Sequence, residues 1–137
     1  MSKKEPRLRL RIEFDGEHTL GPGKIQLLGA VVEHGSISAA ARSMEMSYRH
    51  AWEMLDDVNR CFAGRVIEAE AGGRAGGGAR VTAFGRELIA RFNEISATAT
   101  KAVEAEMHAL ERSRAPARRS PKTRSEETEK RRSSRSR

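Results

Sequence analysis

Five glycines occupy the seven positions from Gly72 to Gly78, and glycine-rich loops cradle phosphates where backbone N–H groups converge. Gly73 and Gly78 stand at the spacing of a P-loop, but Ala79-Arg80 occupies the place of the required Lys-Ser/Thr. A dinucleotide site needs its glycines between a strand and a helix, whereas here Ala79-Arg80-Val81-Thr82 resumes a strand. A nucleotide site is therefore not expected. His18, His34, His50 and His108 show no metal-ligand spacing. Cys61, beside Phe62, reads as a small core residue and not as a nucleophile. Asp56 and Asp57 are adjacent, so on a helix they point to different faces and form no carboxylate dyad. No catalytic residue, cofactor, metal or small-molecule site is expected.

What remains is recognition of a polyanion. Ser47-Tyr48-Arg49-His50 places polar donors and an aromatic ring at the start of a helix, the end that enters the DNA major groove in a helix-turn-helix. Arg49 can donate bidentately to a guanine edge or pair with a phosphate. Ser47 and Tyr48 can bond phosphate, helped by the helix N-terminus. Trp52, one turn on, reads as half-buried support and not as a base contact. Arg42 adds a phosphate contact. Glycines around Arg74 let the backbone approach DNA, and Arg74 and Arg80 suit phosphates or the minor groove. The expected partner is double-stranded DNA.

These side chains must be positioned by a small set of elements. Arg7-Leu8-Arg9-Leu10-Arg11-Ile12-Glu13-Phe14 alternates without error, which predicts a half-buried strand with Leu8, Leu10, Ile12 and Phe14 inward. Pro22 suits the first position of a helix. Ile25, Leu28, Val31 and Val32 then recur at helical spacing until Gly35 caps the end. A serine cap leads into the alanine-rich helix Ser36–Met44, where small side chains admit a close neighbour. Ser47 caps a further helix to Arg60 with Ala51, Leu55 and Val58 inward, Trp52 and Met54 flanking. Two helices joined by a tight turn read as helix-turn-helix. Arg65–Glu70 and Ala79–Thr82 read as strands of a hairpin, a wing.

Phe84, Leu88, Phe92, Ile95, Ala99, Val103, Met107 and Leu110 recur every three or four residues, predicting one helix of almost 30 residues to about Arg112. Its stripe either folds back on its own domain or, as preferred here, packs on a partner helix. Leu88, Phe92, Ile95, Ala99, Val103 and Leu110 are the expected homodimer contacts.

The formal charge of the 137 residues is +7, and all of it lies at one end. Residues 113–137 carry ten basic and three acidic side chains, while residues 1–112 carry sixteen of each. That end segment has two alanines as its only apolar residues and is expected to be disordered, as are residues 1–6. Its charge attracts polyanions in general or simply solubilises the chain. Apolar residues, glycine not counted, make up 37% of the chain. No run reaches the ~20 apolar residues of a membrane span, and no apolar signal core follows the first residues. With one cysteine, neither a disulfide framework nor a Cys-rich zinc site forms. The expectation is a reduced, cytoplasmic, nucleoid-associated bacterial protein: residues 7–82 a winged helix-turn-helix, 83–112 a dimerisation helix, mainly α with a small β component.

This order resembles the N-terminal DNA-binding domain of the ModE family of molybdate-responsive bacterial transcription regulators. The resemblance covers roughly residues 7–112 and rests on Leu20-Gly21-Pro22-Gly23, Gly35-Ser36-Ile37-Ser38-Ala39-Ala40-Ala41, Met46-Ser47-Tyr48-Arg49-His50-Ala51-Trp52 and Gly72–Ala79. The serine-alanine stretch is also similar to the helix-turn-helix of LysR-type regulators. The resemblance implies a sequence-specific regulator acting as a homodimer, with a connection to molybdenum-related genes. The family continues into a molybdate-binding region, where this chain has its basic segment, so a stand-alone form is expected and molybdate sensing does not carry over. A nonspecific architectural DNA binder and a module forming mixed dimers with a full-length regulator are the alternatives.

Overall fold

A computed structural model describes residues 5–70 and 78–116. Among them the chain is mainly α, with two small antiparallel sheets. β1 (Ile12–Glu13) pairs with β2 (Thr19–Leu20), Ile12 opposite Leu20. Asp15 makes the turn between them, its carboxylate accepting from the Glu17 and His18 backbone N–H groups at 2.8 and 2.6 Å. Those two bonds hold its carboxyl below the usual carboxylate range.

The predicted strand over 7–14 is thus cut to its last two inward-outward positions. The alternation survives as burial: Leu8, Leu10 and Ile12 are half-buried, while Arg7, Arg9, Arg11 and Glu13 are exposed. A two-residue partner leaves residues 7–11 no ladder, and they lie instead beside Pro22, Ile25 and Phe92. Phe14, expected inward, sits at the turn and stays 50% exposed, its ring edge-on to Phe62 at 5.4 Å.

α1 (Pro22–His34) begins with Pro22 in its first turn and ends where Gly35 takes a left-handed φ of 76°. The Gly35 N–H returns to the Val31 carbonyl at 2.8 Å, satisfying one of the last orphan carbonyls. Ile25, Leu27, Leu28 and Val31 are all buried. Adjacent buried leucines require cover on more than one side, and α1 receives it from four later elements. α2 (Ile37–Ser43) is capped by the Ser36 hydroxyl, which accepts from Ala39 N–H at 3.0 Å. Its Ala40 and Ala41 are buried, so its backbone lies close to α1. α3 (Tyr48–Cys61) is capped by Ser47, whose hydroxyl accepts from His50 N–H at 3.1 Å. Ala51, Leu55 and Val58 form its buried face.

The turn between α2 and α3 is closed by its backbone. Met46 N–H reaches the Ala41 carbonyl at 3.0 Å and Glu45 N–H the Arg42 carbonyl at 3.1 Å, the paired bonds of a Schellman cap. Such a cap needs a left-handed residue. Glu45 supplies it, at φ 55°, a conformation that costs a non-glycine residue about 1 kcal/mol.

β3 (Ile67–Glu70) and β4 (Gly78–Val81) form the second sheet, Ile67 opposite Val81 and Glu68 opposite Arg80. β4 also meets the end of α1, where Ala79 N–H donates to the Gly35 carbonyl at 3.3 Å. Thr82 then does two jobs. Its hydroxyl donates to the Arg65 carbonyl at 2.6 Å and accepts from Gly85 N–H at 3.0 Å, so it closes the hairpin and caps α4 (Ala83–Ala102). The expected single long helix is interrupted. α4 ends at Ala102 and α5 (Glu104–Arg112) follows after Val103. The break is one residue wide: Val103 N–H still donates to the Ala99 carbonyl at 3.2 Å, and Met107 N–H to the Val103 carbonyl at 2.9 Å.

α3 is fixed from behind by an ion cluster. Asp57 accepts from the Lys24 ammonium at 2.5 Å and lies 3.3 Å from His18 Nδ1. Lys24 also donates to the Thr19 carbonyl at 2.7 Å. His18 and Lys24, near each other in sequence but far from α3, thus share one of its carboxylates. Burial alone would push the Asp57 carboxyl up, but the Lys24 and His18 bonds outweigh it and hold it below its ordinary value.

Two outcomes are expected. A Cβ at Gly85 would overlap the Val66 carbonyl oxygen and stand 2.6 Å from Val81 Cγ1, whereas one at Gly29 meets nothing within 4 Å. Gly85→Ala should destabilise the fold by about 1–3 kcal/mol of overpacking, while Gly29→Ala should stabilise it by up to ~1 kcal/mol of helix propensity. Urea denaturation midpoints moving in opposite directions would establish the contrast. Second, a depressed carboxyl contributes stability above its unfolded value, about 3.9, and loses it as pH falls through the folded value. Asp57→Asn should therefore unfold at lower urea than the parent at pH 7, with the gap narrowing as pH falls below about 3.9.

Candidate nucleic-acid interface

The start of α3 and the hairpin border one cleft, and the end of α2 leads into α3 through the tight turn. Ser47, Tyr48, Arg49 and His50 are all exposed in the first turn of α3, and Arg42 is exposed at the end of α2. The backbone of this turn is fixed by the Ser47 cap and the Schellman bonds, so these side chains project from a rigid base. Arg80 is exposed on β4 between the buried Ala79 and Val81. Arg74 lies outside the described residues, as do the rest of the glycine-rich loop over 71–77 and the basic residues 117–137.

Hairpin and α3 are joined through Asn59. Its side-chain carbonyl accepts from Val66 N–H at 2.8 Å and Ile67 N–H at 3.4 Å, and its amide donates to the Ile67 carbonyl at 3.5 Å. Val66 is fully buried, so without Asn59 its N–H would be a desolvated orphan. This bridge holds the hairpin beside the helix and was missed by sequence reading. A lone asparagine late in a helix carries no signal of its own, and only the fold brings it to the strand.

Between α3 and the hairpin lies an open cleft of about 210 Å3, lined among others by Tyr48, Trp52, Asn59, Arg65, Glu68 and Ala79. Trp52 was expected as half-buried support. It is indeed about half-buried, 49% exposed, but lies outside the core cluster, which takes Ala51, Leu55 and Val58 from α3 and Met54 at its margin. Tyr48, one turn earlier, is 56% exposed. Sidedness explains the difference: the face of α3 set by Ala51, Leu55 and Val58 turns Trp52 toward the cleft.

Three arginines of α3 and β4 have carboxylate partners in the chain. Arg49 Nε lies 3.3 Å from Glu53, Arg60 Nε 3.0 Å from Asp56, and the Arg80 guanidinium 3.2 Å from Glu68. Sequence reading named Arg49 and Arg80 as contacts but neither Arg60 nor any of these partners. Helical i,i+4 spacing marks the first two; the third follows from the strand register.

The expected dimer stripe divides in two. Leu88 and Phe92 are buried in the chain's own core, a correction to their expected role as partner contacts, because the first turns of α4 lie over α1. Beyond them the stripe is uncovered. Ile95 is 45% and Leu110 72% exposed, Val103 is exposed at the break, and Ala99 is half-buried. α5 buries no residue. Among the described residues no helix is long and apolar enough to cross a membrane.

No protein-family model matches the chain. Comparison with individual proteins is more informative. The chain is 40% identical over 94 residues to the molybdenum-pterin-binding protein MopA of Rhodobacter capsulatus, across 69% of this chain and 36% of that protein. It is 43% identical over 82 residues to MopB of the same organism, across 60% of this chain and 30% of that protein. It is 32% identical over 83 residues to the DNA-binding transcriptional dual regulator ModE of Escherichia coli K12, across 61% of this chain and 32% of that protein. The chain thus spans about a third of the length of the curated relatives it matches. Over that third, it is similar to both the Mop proteins and the ModE regulators.

Proposed function

We propose that this chain is a ModE-type transcription regulator whose residues 7–82 form a winged helix-turn-helix. α3 enters the major groove and the β3–β4 hairpin lies on the flanking backbone. The observation that carries this reading is the exposed first turn of α3, a hydroxyl, a phenol, a guanidinium and an imidazole on a doubly capped turn beside a hairpin. Similarity to DNA-binding ModE supports it, and the same similarity supports control of molybdenum-related genes.

Arg49 reads a guanine edge, and Ser47, Tyr48, His50, Arg42, Arg74 and Arg80 hold phosphates or base edges. Exposed ion pairs are worth about 0–1 kcal/mol, so Arg49 and Arg80 exchange Glu53 and Glu68 for DNA at little cost. The carboxylates left behind oppose binding wherever the arginine gains no well-placed acceptor, which favours the correct site. The basic segment 113–137 adds sequence-independent, salt-sensitive affinity. None of these roles calls for catalysis.

The uncovered half of the stripe, Ile95, Ala99, Val103 and Leu110, pairs with a second copy. An apolar stripe that its own chain leaves uncovered is an interface in want of a partner. A twofold dimer places two α3 helices on inverted half-sites about 34 Å apart or a multiple of it.

Selection from a random duplex library with the full chain should enrich an inverted repeat. Arg49→Ala should lose about tenfold in discrimination at one base pair per half-site, measured by competition binding, with nonspecific affinity nearly unchanged. An enriched pool with no common sequence would favour the architectural reading instead. Ile95→Glu should convert dimer to monomer in analytical ultracentrifugation while the thermal midpoint moves little, since Ile95 lies outside the core. A dimer that survives Ile95→Glu and Leu110→Glu together would remove this stripe from the interface.

A further inference from the structure

Trp52 leaves its indole half-exposed beside the proposed DNA face, and the first-turn contacts make no use of it. Trp52 follows Tyr48 by four residues, so the two rings lie on one side of α3, about one turn apart, ~6 Å along the axis. Both face the cleft toward Ile67 and Ala79. The indole is half in water and outside the core, so its area remains free for a partner.

The chemistry of the groove narrows what that partner is. Base edges in the major groove present acceptors and donors, and one apolar feature only: the C5-methyl group of thymine. An apolar ring in the second turn of a groove-bound helix gains from burying that methyl, and loses by desolvating the polar edge of any other base. Resting on the DNA-binding reading above, we infer that Trp52 is a specificity-determining residue that packs its indole face against a thymine methyl in each half-site. The hydrogen-bonding residues of the first turn and the apolar contact of the second then read adjacent positions, since one helical turn spans one to two base steps of ~3.4 Å.

The test uses the full chain and the duplex enriched by selection, with each thymine replaced in turn by deoxyuridine, which removes the methyl alone. One position per half-site should weaken binding of the parent roughly fourfold, the worth of one buried methyl group. Trp52→Ala should bind the thymine duplex more weakly and be indifferent to the replacement at that position. Trp52→Phe, which keeps an aromatic face without the indole N–H, should retain the methyl dependence. The inference fails if no position is methyl-sensitive in the parent, or if Trp52→Ala keeps the full sensitivity. It also fails if Trp52→Phe loses it as completely as Ala, which would make the N–H the reading group. If selection enriches no duplex at all, the regulator reading falls first and is distinguished from these outcomes by the absence of any site to replace.

Discussion

Burial of α1 is the constraint on which the rest of the structure depends. Leu27 and Leu28 are adjacent, and both are fully excluded from water. Burying a leucine is worth about 1.5–3 kcal/mol, and a helix buried on neighbouring faces must be covered from several directions. α2 and α3 cover one side, while β4 and the start of α4 cover another. The alanines of α2 are a consequence, because Ala40 and Ala41 admit the backbone where larger side chains would hold it away. The placement of the hairpin is another, since Ala79 donates to the Gly35 carbonyl at the end of α1. The candidate interface is therefore built outward from a helix that contributes no residue to it.

A second level of organisation fixes α3 precisely where its exposed turn must project. Behind it, Asp57 gathers Lys24 and His18, tying the helix to α1 and the β1–β2 turn. At its C-terminal side Asn59 ties it to the hairpin. At its start, the Ser47 cap and the Schellman bonds through Glu45 set its direction from α2. A glutamate held at left-handed φ is a small local cost, offset by the backbone bonds it permits. These constraints act on the backbone, leaving the outer side chains free to meet a partner.

Charge works on this face by placement and not by amount. Residues 1–112 carry equal numbers of acidic and basic groups, and Arg49, Arg60 and Arg80 each rest against a carboxylate. The excess of +7 belongs to residues 113–137.

Local signals in the sequence settled much of this. Pro22 and Gly35 bounded α1, Ser36 and Ser47 capped α2 and α3, and alternation with glycines marked β3 and β4, because caps and turns depend on residues close in the chain. Periodicity also found the apolar stripe of residues 84–110, but it could not assign an owner to it. Only packing decided that Leu88 and Phe92 serve the chain's own core while Ile95 and Leu110 stay uncovered, since both halves have the same spacing. The same holds for Trp52, turned outward by the buried face of its helix, and for the strand over 7–14, shortened by a partner two residues long. Asn59, Asp57 and Glu68 gained their roles from residues distant in sequence. Element type follows from near neighbours along the chain, whereas burial and pairing are properties of the closed surface and exist only once the elements have met.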